Sequence, residues 1–156
     1  MVMQYEYVIE KIICQSYLIL KKLRGTAFLR RPLNNDGALD IVVTSLNESP
    51  RILMNTADSG NNWLTLALTG RKSPRDAIGA EVKVTTASGR VIYNHVAVSV
   101  GFMSSSDKRV HIGLGAESVA ASIELTWPSG IRQTLKNVKA GQFLKVEEPA
   151  GPPAAK

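Results

Sequence analysis

The fold is decided by a stretch near the C-terminus that reads Ile123-Glu124-Leu125-Thr126-Trp127-Pro128-Ser129-Gly130. Its first five residues alternate between apolar and polar side chains, which is the period of a β-strand with one buried and one solvated face. The following Pro-Ser-Gly predicts a turn, because proline presets its own backbone angle and glycine accepts a positive φ. Trp127 shares a face with Ile123 and Leu125, so we predict a buried indole whose N–H needs a hydrogen-bond partner.

Similar short strand-like segments, separated by turn signals, occupy the chain from residue 39 onward. Several of them at a spacing of roughly ten residues are typical of a β-sandwich or a barrel. We therefore predict a mainly β protein, with an antiparallel β-sandwich or barrel-like module. The predicted strands are Asp40–Ser45, Trp63–Thr69, Ala80–Thr86, Arg90–Val100, Val110–Gly113, Ser118–Trp127, Ile131–Leu135 and Gln142–Val146.

The chain divides into four predicted segments. In residues 1–30, apolar side chains recur every three or four positions between residues 2 and 23, which predicts an N-terminal helix that Gly25 would end. Residues 31–58 precede a small, polar stretch that forms the best domain boundary, and residues 61–148 form the β module. The tail, residues 149–156, is rich in Pro, Ala and Gly, so we predict that it is disordered.

Composition narrows the possible functions. Cys14 is the only cysteine among 156 residues, so an intramolecular disulfide and a zinc site built on several cysteines are excluded. The apolar stretch from Ile12 to Leu20 is shorter than the roughly 20 residues that span a bilayer, and no signal-peptide pattern is visible. The net charge of +6 permits contact with nucleic acid, although it also fits an ordinary solvated surface.

A loop of small and acidic residues precedes the first predicted strand. Asn34, Asp36 and Asp40 offer side-chain oxygens at alternate positions, and Gly37 permits a sharp turn, which is the pattern that a calcium ion requires. The loop resembles the nine-residue calcium loop of FG-GAP/VCBS repeats, which are the blades of extracellular β-propellers. The resemblance implies that residues 31–58 are a partial repeat of this kind, that is, a partial propeller-blade segment. Pro32 stands at the first ligand position of that loop, so weak calcium binding and a simple turn are both open interpretations.

Four runs in the second half of the chain share their order and spacing with one known family. They are Gly70-Arg71-Lys72-Ser73-Pro74-Arg75-Asp76-Ala77-Ile78-Gly79-Ala80, Gly101-Phe102-Met103-Ser104-Ser105-Ser106-Asp107, His111-Ile112-Gly113-Leu114-Gly115, and Trp127-Pro128-Ser129-Gly130 with Gln133. On these runs, residues 61–148 resemble the ASPIC/UnbV domain of cartilage acidic protein and its bacterial relatives. Phe102-Met103 and Ser105 depart from the family pattern, in which Tyr and Gln are usual.

The resemblance implies a β-rich domain that accompanies propellers on secreted or surface proteins. It therefore implies a non-enzymatic interaction or adhesion module, the C-terminal part of a propeller-containing protein, with an extracellular or cell-surface location. Its partner would be another protein or a surface glycan. Some bacterial members are labelled RNA-binding, so a basic protein that binds nucleic acid is the alternative.

Two groups of residues are candidates for binding. Arg71, Lys72 and Arg75 cluster in one loop and form the best patch for an anion or a nucleic acid. Asp107, Arg109 and His111 alternate, so on one strand face they would form an ion-paired network or bind a polar ligand. A hydrolase that uses Asp107 and His111 is a third hypothesis. We expect no catalysis, because no nucleophile with an activating neighbour accompanies them.

Overall fold

Strands make up all the regular secondary structure that the computed structural model describes, in residues 27–31, 33–44, 47, 49–56, 60–101 and 104–151. The helix predicted for residues 2–23 lies outside these residues. The strands are β1 (Ala27–Arg31), β2 (Asp40–Thr44), β3 (Arg51–Leu53), β4 (Asn62–Thr69), β5 (Glu81–Thr86), β6 (Val91–His95), β7 (Ser99–Gly101), β8 (Ser104–Ser105), β9 (Val110–Gly115), β10 (Val119–Thr126), β11 (Arg132–Lys139) and β12 (Gln142–Glu147).

The chain separates into two compact units. The first takes its described residues from the ranges 1–59 and 99–107, and the second from 60–98 and 108–156. The first unit contains an antiparallel sheet in the order β1-β2-β3 and the β7-β8 hairpin. In its sheet, Val43 and Asp40 are buried.

The second unit contains two sheets. One has the order β11-β10-β5-β6 and is antiparallel throughout, and the other has the order β12-β4-β9. In the latter, β9 is antiparallel to β4, whereas β12 runs parallel to it. The sequence prediction of a purely antiparallel module is wrong at this pair. Alternation within a strand shows which face is buried, but it does not show which distant strand pairs with it or in which direction.

The two sheets share one hydrophobic core, which makes the second unit a β-sandwich and not a closed barrel. Leu64 and Leu66 of β4 pack in the same cluster as Val84 of β5 and Ile123 of β10. Trp127 is only 1% exposed, and its Nε1–H donates a 3.1 Å hydrogen bond to Oε1 of Gln133. The predicted burial of this indole and its need for a partner are both confirmed.

The ends of two predicted strands differ from those in the structure. The segment predicted as one strand, Arg90–Val100, is divided into β6 and β7. Val96 lies between them; it is buried, and its N–H donates to the carbonyl of Ala80 while its own carbonyl accepts from Gly79. β11 is longer than predicted, because its pairing with β10 continues to Lys139. Residues 149–151 belong to no strand, and the rest of the predicted disordered tail lies outside the described residues.

Candidate functional site

A buried carboxylate joins three separate parts of the sandwich. Glu148 is fully buried, and its Oε2 accepts hydrogen bonds from the backbone N–H groups of Arg71 (2.6 Å), Lys72 (2.9 Å) and Ser73 (2.8 Å). Its Oε1 accepts from the hydroxyl of Ser73 at 3.0 Å and from the hydroxyl of Ser129. We call this arrangement of Glu148, the N–H groups of residues 71–73 and the two serine hydroxyls the Glu148 clasp.

The loop after β4 is shaped to present those three N–H groups. Gly70 donates its N–H to the carbonyl of Arg75 at 3.0 Å, and Ala77 donates to the carbonyl of Pro74 at 2.7 Å. A Cβ atom at Gly70 would lie 2.3 Å from the carbonyl oxygen of Pro74, so the close turn requires a glycine here. Ser129 belongs to the turn after Trp127, and its N–H donates to the hydroxyl of Ser73 at 3.1 Å.

The clasp keeps Glu148 ionised. Burial alone raises the pKa of this carboxyl, but the hydrogen bonds from Ser129, from the backbone and hydroxyl of Ser73 and from the backbone of Arg71 outweigh burial. Together they lower the pKa from its ordinary 4.5 to about 2. The carboxylate charge is therefore stabilised mainly by neutral donors, as in an anion-binding loop.

The clasp changes the interpretation of the basic loop. Arg71, Lys72 and Arg75 are exposed, but the loop that carries them is closed around an internal carboxylate. The guanidinium of Arg71 makes an exposed ion pair with Glu147, with 3.0 Å between Nη2 and Oε2. Sequence reasoning missed Glu148 because an acidic residue at a strand end resembles an ordinary surface residue. The available signal was the presence of Ser73 and Ser129 in two of the family-like runs.

His111 lies in a group of aromatic and polar side chains on β4, β9 and β12. Its Nδ1 is 2.9 Å from the hydroxyl of Thr65, and its ring stacks on Trp63 with centroids 6.1 Å apart. Phe143 meets Trp63 edge-on at 5.0 Å, and the guanidinium carbon of Arg109 lies 5.0 Å from the centroid of Phe143. Burial, followed by the positive charge of Arg109, lowers the pKa of His111 and so favours the neutral imidazole.

The predicted trio of Asp107, Arg109 and His111 is not carried by a single strand. β9 begins at Val110, so only His111 of the three lies within it. Asp107 belongs to the first compact unit and Arg109 to the second. Arg109 and His111 are brought together with the rings of Trp63 and Phe143, an arrangement that packing and hydrogen bonding explain.

The Asn34–Asp40 loop is held by hydrogen bonds within the loop and to residues on either side of it. Asp40 is buried, and its two carboxylate oxygens accept from the N–H groups of Leu33 (2.6 Å) and Asn55 (2.8 Å). Asp36 accepts from the amide of Asn34 at 2.6 Å and from the N–H of Ala38 at 2.7 Å. Within the described residues, no three His, Cys, Asp or Glu side chains form a group that could hold a metal ion. Calcium binding here stays a prediction.

A shallow groove lies on the outer face of the four-stranded sheet, and sequence reasoning did not identify it. Register places Tyr93, Lys83 and Glu124 in one cross-strand row, and His95, Glu81 and Thr126 in the next. We call this surface the outer groove. These six residues, with Asn94 and Val82, line an open depression of about 420 Å³. Tyr93 is 75% exposed, and the ammonium group of Lys83 contacts Glu124 at 2.9 Å. The available signal was Tyr93, an aromatic residue two positions before His95 on the polar face of β6.

These features define a class of protein: a β-sandwich domain with an internal carboxylate clasp and a polar outer groove. A sequence model described as "ASPIC and UnbV" matches residues 70–153, which include every residue of the clasp and of the outer groove. The chain therefore belongs to the ASPIC/UnbV family. A search of curated proteins found no match to the chain. In the part of the chain that the structure describes, no helix is long and apolar enough to cross a membrane.

Proposed function

We propose that this chain is a non-enzymatic interaction module that binds a neutral surface glycan through the outer groove. Membership in the ASPIC/UnbV family supports a module of this kind. The observation that carries the proposal is the exposed ring of Tyr93 among the polar side chains of the outer groove. Exposed aromatic rings next to convergent polar groups are typical of recognition sites.

The side chains of the outer groove match the chemistry of a sugar. A pyranose ring has an apolar C–H face that stacks on an aromatic ring, and Tyr93 offers such a ring. Around it, sugar hydroxyl groups need both donors and acceptors of hydrogen bonds. Lys83 donates, Glu81 and Glu124 accept, and the hydroxyl of Thr126 does both.

The charge of the outer groove favours a neutral ligand over a polyanion. Glu81 and Glu124 face a single lysine, Lys83, so these groups carry one net negative charge in a chain whose total is +6. A phosphate or sulfate group would meet two carboxylates there, which is unfavourable. The same argument counts against nucleic acid as the ligand of this groove.

The residues considered for catalysis, Asp107 and His111, do not line the outer groove. His111 interacts with the hydroxyl of Thr65 and with the ring of Trp63, and its pKa is lowered. The proposal does not depend on calcium, on a propeller or on secretion. Weak calcium binding by Asn34, Asp36 and Asp40, a preceding propeller and an extracellular location remain predictions from the family resemblance.

The proposal is tested on an array of neutral and acidic glycans with the purified full chain. We expect binding to neutral glycans that falls about tenfold in Tyr93→Ala, because the stacking surface is lost. Val91→Ala is the matched control. Val91 also lies on β6 and is exposed, but it is not part of the groove, so this variant should bind like the wild type.

Salt dependence separates the proposal from its alternative. Binding of a neutral glycan should change little with ionic strength, whereas binding of a nucleic acid weakens steeply as salt displaces phosphate contacts. Arg71→Ala, Lys72→Ala and Arg75→Ala should leave glycan binding unchanged. Affinity only for polyanions, lost in these three variants and retained in Tyr93→Ala, would contradict the proposal and favour the nucleic-acid alternative.

A further inference from the structure

The Glu148 clasp has the construction of a ligand site. We infer that it is a carboxylate-binding site which the chain fills with its own Glu148, and that it binds a small external carboxylate when that side chain is absent. The inference rests on the donors around Glu148 and is independent of the glycan proposal.

The donors of the clasp converge on two oxygen atoms. Three consecutive N–H groups, from residues 71–73, reach Oε2 at 2.6 to 2.9 Å. The hydroxyls of Ser73 and Ser129 reach Oε1. Successive backbone N–H groups that point into one concavity form a nest, which is a recognised anion-binding arrangement. Five donors divided between two oxygens fit the planar, two-oxygen shape of a carboxylate.

Most of the clasp persists without the glutamate side chain. Gly70 and Ala77 fix the loop through backbone hydrogen bonds to Arg75 and Pro74, and neither bond involves Glu148. Ser129 is positioned by the turn in which Gly130 donates its N–H to the carbonyl of Trp127 at 2.8 Å. Truncation of Glu148 would therefore leave the buried donors of Ser73, and the part-buried donors of residues 71, 72 and 129, without their acceptor, which is costly unless an anion enters.

The site recognises its ligand by hydrogen bonds and not by a formal positive charge. All five donors that reach Glu148 are backbone N–H groups or hydroxyls, and the side chain of Arg71 is paired with Glu147 on the exposed surface. Chloride is a single atom and cannot place one acceptor at the three N–H groups and a second at the two hydroxyls, so it should bind less well than formate or acetate at the same ionic strength. The ligand class is thus a small carboxylate.

The test is chemical rescue of Glu148→Ala in the full chain. Thermal melts are recorded with increasing sodium formate or sodium acetate, against sodium chloride at equal ionic strength. We expect the variant to melt below the wild type, and formate to raise its Tm toward the wild-type value with saturation, because a ligand of the folded state alone stabilises it. The wild type and Glu147→Ala should show no such difference between salts.

A double variant and a refolding comparison test the inference further. Removal of one donor in the double variant Ser129→Ala, Glu148→Ala should weaken the apparent formate affinity severalfold. If Glu148→Ala does not fold in chloride, its refolding yield is compared in formate and in chloride; recovery in formate supports the inference, and equal failure in both overturns it. Equal responses to formate in Glu148→Ala and in the wild type would also overturn it.

Discussion

Glu148 is a single residue that connects the ends of three strands. It follows β12, its carboxylate binds the loop after β4, and it also binds Ser129 in the turn after β10. Its own N–H donates to the carbonyl of Thr69 at 2.8 Å, which continues the parallel pairing of β12 with β4. Hydrogen bonds to a buried charge are stronger than those between neutral groups, so this residue stabilises the edge of the sandwich.

The lowered pKa of Glu148 predicts a loss of stability in acid. The folded-state pKa of about 2 lies below the ordinary 4.5, so the folded protein holds this carboxyl ionised where the unfolded chain protonates it. The contribution is complete above pH 4.5 and is lost as the pH falls from 4.5 toward 2. Glu148→Gln should therefore lose stability at pH 7, with a smaller difference from the wild type near pH 2.

Urea unfolding of both proteins between pH 7 and pH 2 measures this effect. Glu147→Gln serves as the control, because Glu147 is an exposed neighbour whose ion pair with Arg71 is solvated. If the free energies of unfolding of the wild type and of Glu148→Gln differ by the same amount at every pH, the clasp does not stabilise the ionised carboxyl.

Gly70 and Gly113 offer a matched test of the loop that forms the clasp. A Cβ atom at Gly70 would lie 2.3 Å and 2.7 Å from the carbonyl oxygens of Pro74 and Ser73, whereas at Gly113 it would meet nothing within 4 Å. Gly70→Ala should destabilise the protein by about 2 kcal/mol or more, because backbone atoms must move. Gly113→Ala should change the free energy of unfolding by about 0.5 kcal/mol or less. Equal effects in urea unfolding would contradict this account of the loop.

At the scale of elements, the Asn34–Asp40 loop is the place where its resemblance to FG-GAP/VCBS repeats predicts calcium binding. Asp36 and Asp40 accept hydrogen bonds from the backbone N–H groups of Ala38, Leu33 and Asn55, and these bonds hold the turn. If the predicted weak calcium binding is correct, millimolar calcium should raise the Tm relative to a chelator, and Asp36→Ala should abolish that rise, because a ligand of the folded state stabilises it. Equal Tm values in calcium and in chelator would mean that the loop is a simple turn.

Strand alternation explains why much of the fold could be predicted. The alternating residues of β5 and β10 correctly indicated one buried face each, including Trp127 in the core. The parallel pairing of β12 with β4 could not be predicted, because it depends on the path of more than 70 residues between the two strands. Short strands such as β3 and β8 carry too few residues to show a period.

The candidate sites were harder to predict than the fold, because they combine residues that are distant in sequence. Arg71 and His111 were identified from local patterns, but their neighbours Glu147 and Trp63 lie on strands paired at long range. Glu148 is 75 residues from Ser73, and only folding shows that they meet. Likewise, the outer groove exists because Tyr93, Lys83 and Glu124 come from three strands in one register row.

At the scale of the whole molecule, the inner and outer faces of the two sheets in the second unit differ in role. Their inner faces form one core, and the outer face of the four-stranded sheet offers polar side chains and Tyr93 to solvent. A rigid sheet holds binding side chains in place with little loss of conformational entropy on binding. This arrangement suits the recognition of a ligand at the outer groove.

The most direct test of the central claim is an NMR titration of the ¹⁵N-labelled chain with the neutral oligosaccharide that gives the strongest array signal. We predict saturable shifts centred on the amides of Lys83, Tyr93 and Glu124, with an affinity about tenfold lower in Tyr93→Ala. Shifts centred elsewhere, an affinity unchanged in Tyr93→Ala, or the absence of saturable binding to any neutral glycan on the array would contradict glycan binding by the outer groove.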